Sequence, residues 1–450
     1  MEKNIYSKLD NFIDAIKKNN HIEMDLYDHH NVKRGLRNKN GTGVLVGLTK
    51  IGSVQGYTMD GDVKVPVDGK LLYRGIDLKS LVHGFQSEGR FGFEETSFLL
   101  LFGYLPTAEE LDDFKGLLNE NRILPSGFTE NMILKIPSKD IMNKIQRSIL
   151  VLYSHDEDPD SIELENLILQ SIKLTALMPT IIAYGYQAKS HYFDNKSLYI
   201  HTPVKSYSTA ENILHMIRPD NKFTKTEAET LDVLLVIHAE HGGGNNSAFA
   251  TNVISSTGTD TYSAISAAVG SLKGPKHGGA NICVANMIKD IQENCDYKDK
   301  EELRKYLIKI MDKKAFDKTG LVYGMGHAVY TKSDPRAVLL KEKAYELALE
   351  KDELDEFELY SNIESMTKEL FIERKGPNAV ISANTDLYSG LVYQMLNIPK
   401  DLYTPLFAAA RIIGWCAHRV EQILSDPKIL RPAYAFVKKD NLDYRKLDDR

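Results

Sequence analysis

Three polar side chains in the second half of the chain have the types and settings that chemistry requires. They are His277 in GPKHGGAN, His327 in GMGHAVY and Asp386 in NTDLYSG, and each lies in a segment that contains glycine. Glycine leaves room beside a functional group and allows turns that other residues rarely adopt. Imidazoles and a carboxylate can donate a hydrogen bond, polarise a carbonyl and accept a proton. The pattern therefore indicates acid and base chemistry on a carbonyl compound.

His277 is expected close to the N-terminus of a helix. Pro275 and the neighbouring glycines predict an irregular entry into the apolar-periodic segment that follows. The helix dipole at that end disfavours the imidazolium, and a neutral histidine can donate a hydrogen bond to an oxygen that is becoming negative. A histidine that only caps a tight turn explains the same segment, so both interpretations stay open at this point.

His327 is followed nine residues later by Arg336, directly after Asp334 and Pro335. A glycine-flanked histidine and a nearby arginine suit a carbonyl compound that also carries a carboxylate. The imidazole can polarise the carbonyl, and the guanidinium can bind the carboxylate through two hydrogen bonds. The Asp-Pro-Arg sequence is equally typical of a helix start, so this segment alone favours neither interpretation.

Asp386 precedes another apolar-periodic segment and also has two interpretations. An aspartate in this setting commonly caps a helix, because its carboxylate accepts hydrogen bonds from the first free amides. It can equally act as a general base if a substrate carbon lies within reach. The segment includes Asn384 before the aspartate and Ser389 and Gly390 after it.

His238 and His241 in IHAEHGGGNNS resemble a metal motif only weakly. Zinc-binding HExxH helices carry histidines four residues apart, whereas these are three apart and no further ligand stands at a suitable spacing. We therefore expect no metal. One histidine of the pair is expected in the core or bonded to the backbone, and the other is available to a substrate carboxylate. The three glycines that follow match neither GxGxxG nor the P-loop.

The composition excludes several classes of partner. The 450-residue chain has a formal net charge of −6, so we expect neither nucleic acid nor an anionic membrane surface as a partner. The apolar run FLLLFGYL is too short to span a bilayer. Only three cysteines occur, without a CxxC pair, and the first residues lack a targeting pattern, which together predict a cytoplasmic location. An anionic ligand must therefore be bound by a local group of basic side chains.

Helices are the elements predicted to position these side chains. Apolar residues recur at helical spacing in two stretches, which are Leu164, Ile168, Ile172 and Ala176, and Leu303, Tyr306, Leu307, Ile310 and Met311. The alternating valines Val63, Val65 and Val67, flanked by Asp-Gly pairs, predict a small β-hairpin. No succession of strands and helices typical of a parallel sheet is present, so the expected class is all-α.

Taken together and in this order, GPKHGGAN, GMGHAVYTKSDPR and NTDLYSG resemble the citrate synthase family of citrate and 2-methylcitrate synthases. FEETSFLLLFGYLPT and DGKLLYRGIDL are similar to its N-terminal signatures, and FAAARIIGWCAHRVEQ and ILRPAYAF to its C-terminal ones, from about Lys70 to about Phe436. The resemblance implies a large helical domain, 1–277 plus 390–450, with the substrate site and the dimer contacts. A small helical domain on the CoA side, 278–389, is inserted and closes over that site.

The resemblance also implies the reaction. In this family the two motif histidines and the motif aspartate form a catalytic triad, which corresponds here to His277, His327 and Asp386. The implied activity is citrate synthase, an acyltransferase of EC class 2.3.3 in the tricarboxylic acid cycle, which condenses acetyl-CoA with oxaloacetate and water to give citrate and CoA. Asp386 would remove a methyl proton, His277 would stabilise the enol, and His327 would polarise the ketone.

Substrate binding is implied for four further residues. By resemblance, Arg336, Arg411 and His241 bind carboxylates from the same chain, and Arg431 completes the site of the partner subunit, which makes a homodimer necessary. No tightly bound cofactor is implied, since coenzyme A enters as the thioester substrate.

The CoA contacts depart from the family pattern. Thr331 stands where relatives often have Lys or Arg, which leaves Lys332 and Lys375 as the candidates for binding the CoA phosphates.

Two alternatives remain at this stage. A 2-methylcitrate synthase would use the same residues with a pocket that accepts propionyl-CoA, and one methylene in an apolar pocket changes binding by only about 1–3 kcal/mol. A non-catalytic helical binding protein could keep the fold without the reaction. The presence of all three triad residues and three arginines disfavours that second alternative, because packing alone does not require them.

Overall fold

Short polar caps and apolar stripes divide the chain into many helices. The computed structural model describes residues 13–14, 16–61, 63–426, 428–438 and 444–449. Thr107, Ser208 and Thr224 each begin a helix with a capping box. The hydroxyl of the capping residue accepts the backbone N–H of a glutamate three residues later, and the carboxylate of that glutamate accepts the backbone N–H of the capping residue. Such caps satisfy amides that have no partner inside the helix.

The helices of the described residues are named here in chain order. They are α1 (Met24–His29), α2 (Leu78–Ser87), α3 (Phe93–Phe102), α4 (Ala108–Glu120), α5 (Ile141–Leu152), α6 (Leu164–Asp194), α7 (Thr209–Ile217), α8 (Lys225–His238), α9 (Asn246–Ser255), α10 (Thr261–Lys273), α11 (Ala280–Asn294), α12 (Lys300–Met311), α13 (Pro335–Lys351), α14 (Leu354–Lys375), α15 (Thr385–Met395) and α16 (Tyr403–Ser425). Short 3-10 turns and one π-helical turn, Thr129–Leu134, connect some of them. The all-α class is confirmed.

The predicted hairpin is present and gains a short third strand. Strands β1 (Gly52–Asp60) and β2 (Val63–Tyr73) pair antiparallel, and β3 (Ile76–Asp77) pairs with the end of β2. The register of β1 shifts between Gln55 and Tyr57, so the ladder is interrupted there. Two isolated β-bridges, Arg37 with Gly43 and Met325 with Ala383, lie outside this small sheet.

Helix α16 runs through the core and packs against α6, α8, α9 and α10. Most of its residues are buried on every side, including Arg411, Trp415 and His418. Helix α6 is long and apolar enough to cross a membrane by length and composition, but 83% of its most apolar window is buried inside the protein. That burial is typical of a core helix.

The second predicted stripe is confirmed on α12, where Leu303, Tyr306, Leu307 and Ile310 are buried. The first stripe lies on α6 as expected, although Leu164 at its start is exposed.

The chain divides into two compact units. One unit is residues 47–430 and contains the sheet and helices α2 to α16. The other unit consists of residues 1–46 and 431–450 and contains α1. The division of the larger unit into domains at 278 and 389 stays a prediction.

Candidate active site

A cavity of about 140 Å³ lies where the ends of several helices meet. Its volume corresponds to roughly four or five water molecules, which suits a small polar ligand. The residues that line it are His241, Asn245, His277, Gly278, Asn281, His327, Arg336, Asn384, Thr385, Asp386, Tyr403, Thr404, Phe407 and Arg411. Six predicted site residues, far apart in the sequence, are therefore brought to one place.

His277 lies in the turn that precedes α11. The helix begins at Ala280 with Gly279 as its N-cap, and His277 therefore does not cap it. Its Nε2 is 3.2 Å from the Ser247 hydroxyl, which also accepts a hydrogen bond from the indole N–H of Trp415 at 3.0 Å. Burial, reinforced by the charge of Arg411, lowers the pKa of His277 to about 4, so the ring is neutral at pH 7.

His327 is held by its own loop. Its Nδ1 accepts hydrogen bonds from the backbone N–H groups of Val329 and Tyr330, both at 3.1 Å. Because Nδ1 accepts, the proton of the neutral ring is on Nε2, which can donate to a ligand. Burial and the nearby Arg336 charge lower the pKa of His327 to about 4, and the Tyr330 ring stacks on the imidazole at 4.8 Å between centroids.

Asp386 is free of the capping role that its sequence allowed. Asn384 is the N-cap of α15, and its side chain accepts the backbone N–H of Asp386 at 2.9 Å. The Asp386 carboxyl is thus left to face the cavity. Burial raises its pKa to about 6, an effect that the Arg336 charge only partly opposes. A carboxylate with this pKa is ionised at pH 7 and is a better base than an ordinary aspartate.

Two buried arginines supply positive charge. The Arg411 side chain donates through Nε to the backbone oxygen of His238, whereas its two terminal nitrogens have no hydrogen-bond partner in the described structure. Arg336 is bound by Asp334 through two hydrogen bonds of 3.0 and 2.7 Å. Asp334 is also the N-cap of α13, so the Asp-Pro-Arg segment is both a helix start and part of the site.

The two histidines after α8 have different surroundings. His238, the last residue of α8, is fully buried and packs on the Phe407 ring at 4.3 Å. His241 lines the cavity with its ring 5.3 Å from that of His327. His238 therefore lies in the core and His241 faces the cavity, while a contact between His241 and a substrate carboxylate stays a prediction. Among the residues described, no group of three or more side chains could hold a metal ion.

Several polar atoms around the cavity have no partner among the described residues. They are Nε2 of His241, Oδ1 of Asn281, Oγ1 of Thr385 and both terminal nitrogens of Arg411. Buried polar atoms are normally hydrogen-bonded, since an unsatisfied one costs roughly 1–3 kcal/mol. Their concentration at one cavity indicates a site built for a polar ligand with both donors and acceptors.

Two of the predicted binding residues are not brought to this cavity. Lys332 and Lys375 are exposed and do not line it. Arg431 is exposed and belongs to the unit formed by 1–46 and 431–450.

Some residues at the cavity have no motif that predicts them. Thr404 and Phe407 precede Arg411 on α16 by seven and four residues, so helical periodicity alone could have placed them on the same face. Ser247 and Trp415 bind or support His277 from 30 and 138 residues away, and no local pattern indicates such contacts.

Known proteins are similar to this chain in sequence and in fold. The family model for the C-terminal domain of citrate synthase matches residues 39–433. A citrate synthase of Haloferax volcanii is 34% identical over 424 residues, which cover 93% of this chain and 99% of the relative. A 2-methylcitrate synthase of Shewanella oneidensis is 31% identical over 396 residues, 87% of this chain and 95% of the relative.

Solved structures agree with the sequence comparison. A citrate synthase of Thermoplasma acidophilum, in a ternary complex with carboxymethyl coenzyme A and oxaloacetate, superposes with a TM-score of 0.76 at 25% identity and covers 93% of this chain and 99% of that one. A citrate synthase of Pyrobaculum aerophilum gives a TM-score of 0.75 at 28% identity over 90% of this chain and 94% of that one. The chain belongs to the citrate synthase family, transferases of EC class 2.3.3.

Proposed function

We propose that this protein is a citrate synthase, which condenses acetyl-CoA with oxaloacetate and hydrolyses the resulting citryl-CoA to citrate and CoA. The observation that carries the proposal is the single cavity lined by His277, His327 and Asp386 together with the charges of Arg336 and Arg411. A base, two neutral donors and two cations are the groups that enolate formation from a thioester and attack on a keto dicarboxylate require.

The first step is removal of a methyl proton from acetyl-CoA by Asp386. The thioester oxygen gains negative charge as the proton leaves, and His277 stabilises it by donating a hydrogen bond. For Nδ1 of His277 to carry that proton, Ser247 must donate its own proton to Nε2 at 3.2 Å. The Ser247 hydroxyl can instead donate to Oδ1 of Asn245, which is 2.7 Å away. The direction of the Ser247 proton therefore determines whether Nδ1 or Nε2 of His277 is the donor.

The second step joins the enol carbon to the ketone carbon of oxaloacetate. His327 donates from Nε2 to the ketone oxygen, which gains charge as the carbon–carbon bond forms. The unpaired nitrogens of Arg411 bind a substrate carboxylate, and Arg336 and His241 bind beside it. Water then hydrolyses the citryl thioester, which releases citrate and the CoA thiol. No tightly bound cofactor takes part in this scheme.

Coenzyme A is proposed to bind along the segment 278–389, with Lys332 and Lys375 at its phosphates. Both lysines are exposed, as contacts to a solvent-facing polyphosphate require. Closure of this segment over the cavity as a small domain would exclude water during proton removal, which strengthens each hydrogen bond in the site.

A homodimer is proposed, in which Arg431 binds substrate in the site of the partner subunit. The segment that carries it exposes large aromatic side chains, with Tyr434 at 94% and Phe436 at 84% of their full area. Such exposure is costly in a monomer and is typical of a surface that another chain covers.

Subunit mixing tests this arrangement. Arg431→Ala and Asp386→Asn homodimers should each be inactive, whereas their mixture should recover about a quarter of the wild-type activity. Random exchange makes half of the dimers mixed, and each mixed dimer then has one intact site. If Arg431 serves its own subunit, the mixture stays inactive.

The second candidate is a 2-methylcitrate synthase, because a relative with that name is 31% identical over most of the chain. The kcat/KM values for acetyl-CoA and propionyl-CoA, measured side by side by thiol release with oxaloacetate, decide between the two. We expect acetyl-CoA to be preferred, and preference for propionyl-CoA would overturn the assignment. A non-catalytic binding protein would release no thiol from either.

We place the enzyme in the cytoplasm and its reaction in the tricarboxylic acid cycle.

A further inference from the structure

The small β-sheet lies directly against the loop that carries His327. A Cβ atom at Gly56 of β1 would be 2.3 Å from the backbone oxygen of Val329 and 2.7 Å from Cα of Tyr330. Gly56 stands where the register of β1 shifts and is not paired with a residue of β2. Glycine is required here by the close approach of two backbones, since any side chain would push the loop away.

Two hydroxyl side chains of the loop bond to the sheet. Thr331 donates through Oγ1 to the carbonyl oxygen of Gly56 at 2.6 Å. Ser333 accepts the backbone N–H of Gly69 at 3.1 Å and donates to Oδ1 of Asp68 at 3.1 Å. A Cβ at Gly69 would be 2.2 Å from the backbone oxygen of Ser333, so this second contact is as close as the first.

These contacts fall on the residues that hold His327. The backbone amides that donate to Nδ1 of His327 belong to Val329 and Tyr330, the two residues that Gly56 touches. The two amides fix the orientation of the His327 ring, and the contact with Gly56 fixes the position of the two amides. The direction in which Nε2 donates its proton therefore depends on the position of the sheet. The alternative is that the sheet only packs against the loop. In that case the two hydroxyl contacts would affect the stability of the fold and not the reaction.

We propose that the β-sheet is a positioning element for His327, with Thr331 and Ser333 as the positioning residues that attach the loop to it. The proposal rests on the proposed function, in which His327 polarises the ketone. The sheet belongs to the proposed large domain and the loop to the proposed small one. Both links therefore cross the boundary between the two proposed domains.

The test compares Thr331→Val, which keeps the shape but loses the donor, with Thr331→Ser, which keeps the hydroxyl. Thr58→Val is the matched control, since Thr58 is exposed on the same strand and pairs with Val65 of β2. One hydrogen bond of this type corresponds to about a two- to tenfold effect. We expect kcat for thiol release to fall about fivefold in Thr331→Val with KM for both substrates within about twofold, and to recover in Thr331→Ser.

A kcat in Thr331→Val equal to that of Thr58→Val would overturn the proposal, as would an equal loss in Thr331→Ser. Failure of the proposed function has a different signature, namely no thiol release by the wild-type enzyme. Gly56→Ala provides a second measurement, with Gly116→Ala as control because a Cβ added at Gly116 would have no neighbouring atom within 4 Å. Gly56→Ala should lower kcat more than Thr331→Val does, and a folded Gly56→Ala enzyme with wild-type kcat would equally contradict the positioning role.

Discussion

The raised pKa of Asp386 predicts an acid limb in the pH profile of the enzyme. With a pKa of about 6, the carboxyl is about 91% ionised at pH 7 and about 9% ionised at pH 5, so kcat/KM for acetyl-CoA should fall about tenfold between these values. An aspartate with the ordinary pKa of about 3.9 would stay more than about 90% ionised over the same range, and the rate would hardly change.

The two active-site histidines do not obscure this limb. The pKa values of His277 and His327 are both about 4, so each ring stays about 90% neutral at pH 5 and contributes less than twofold. The assay is thiol release at saturating oxaloacetate from pH 4.5 to 8, with circular dichroism at each pH to verify that the protein is folded. A flat profile between pH 5 and 7 would refute the reasoning.

Three further substitutions have expected outcomes. Ser247→Ala removes the hydroxyl at Nε2 of His277, so kcat should fall about tenfold in the thiol-release assay, and an unchanged kcat would contradict its role. Arg411→Gln removes the unpaired cationic donors, and kcat/KM for oxaloacetate should fall about tenfold to a hundredfold. Glu227 is buried, which opposes ionisation, yet hydrogen bonds from Arg218 and Lys351 lower its pKa to about 2. Its lowered pKa stabilises the fold above pH 4.5, and this contribution is lost as the pH falls toward 2. Glu227→Gln should cost about 2 kcal/mol in urea unfolding at pH 7, with a smaller difference at pH 4, and equal stability at pH 7 would contradict the ion pairs.

Local patterns were sufficient to predict the helical class and several individual elements. The stripe of Leu303, Tyr306, Leu307 and Ile310 lies on α12 as predicted, because helical spacing alone determines which side chains share a face. The valine alternation predicted the hairpin, because residues two apart in a strand share a face. Strand β3 was not predicted, since two residues are too few for any periodicity to register.

Motif residues were predicted better than their supports. From the sequence, Asp386 could be either a helix cap or a general base. In the structure the N-cap is Asn384, two residues earlier, for which the sequence predicted no role. Ser247 and Trp415 could not be found, because their hydrogen bonds depend on how α9 and α16 pack together. The unpaired nitrogens of Arg411 likewise follow from burial, which only the packed core decides.

The central claim is that Asp386 starts the condensation of acetyl-CoA with oxaloacetate. The most direct measurement is CoA thiol release by wild-type protein and by Asp386→Asn, with oxaloacetate present and absent. We predict release by the wild type that depends on oxaloacetate, and a loss of at least about a thousandfold in Asp386→Asn, whose amide accepts no proton, at unchanged Tm. Near-normal release by Asp386→Asn, or no oxaloacetate-dependent release by the wild type, would contradict the account.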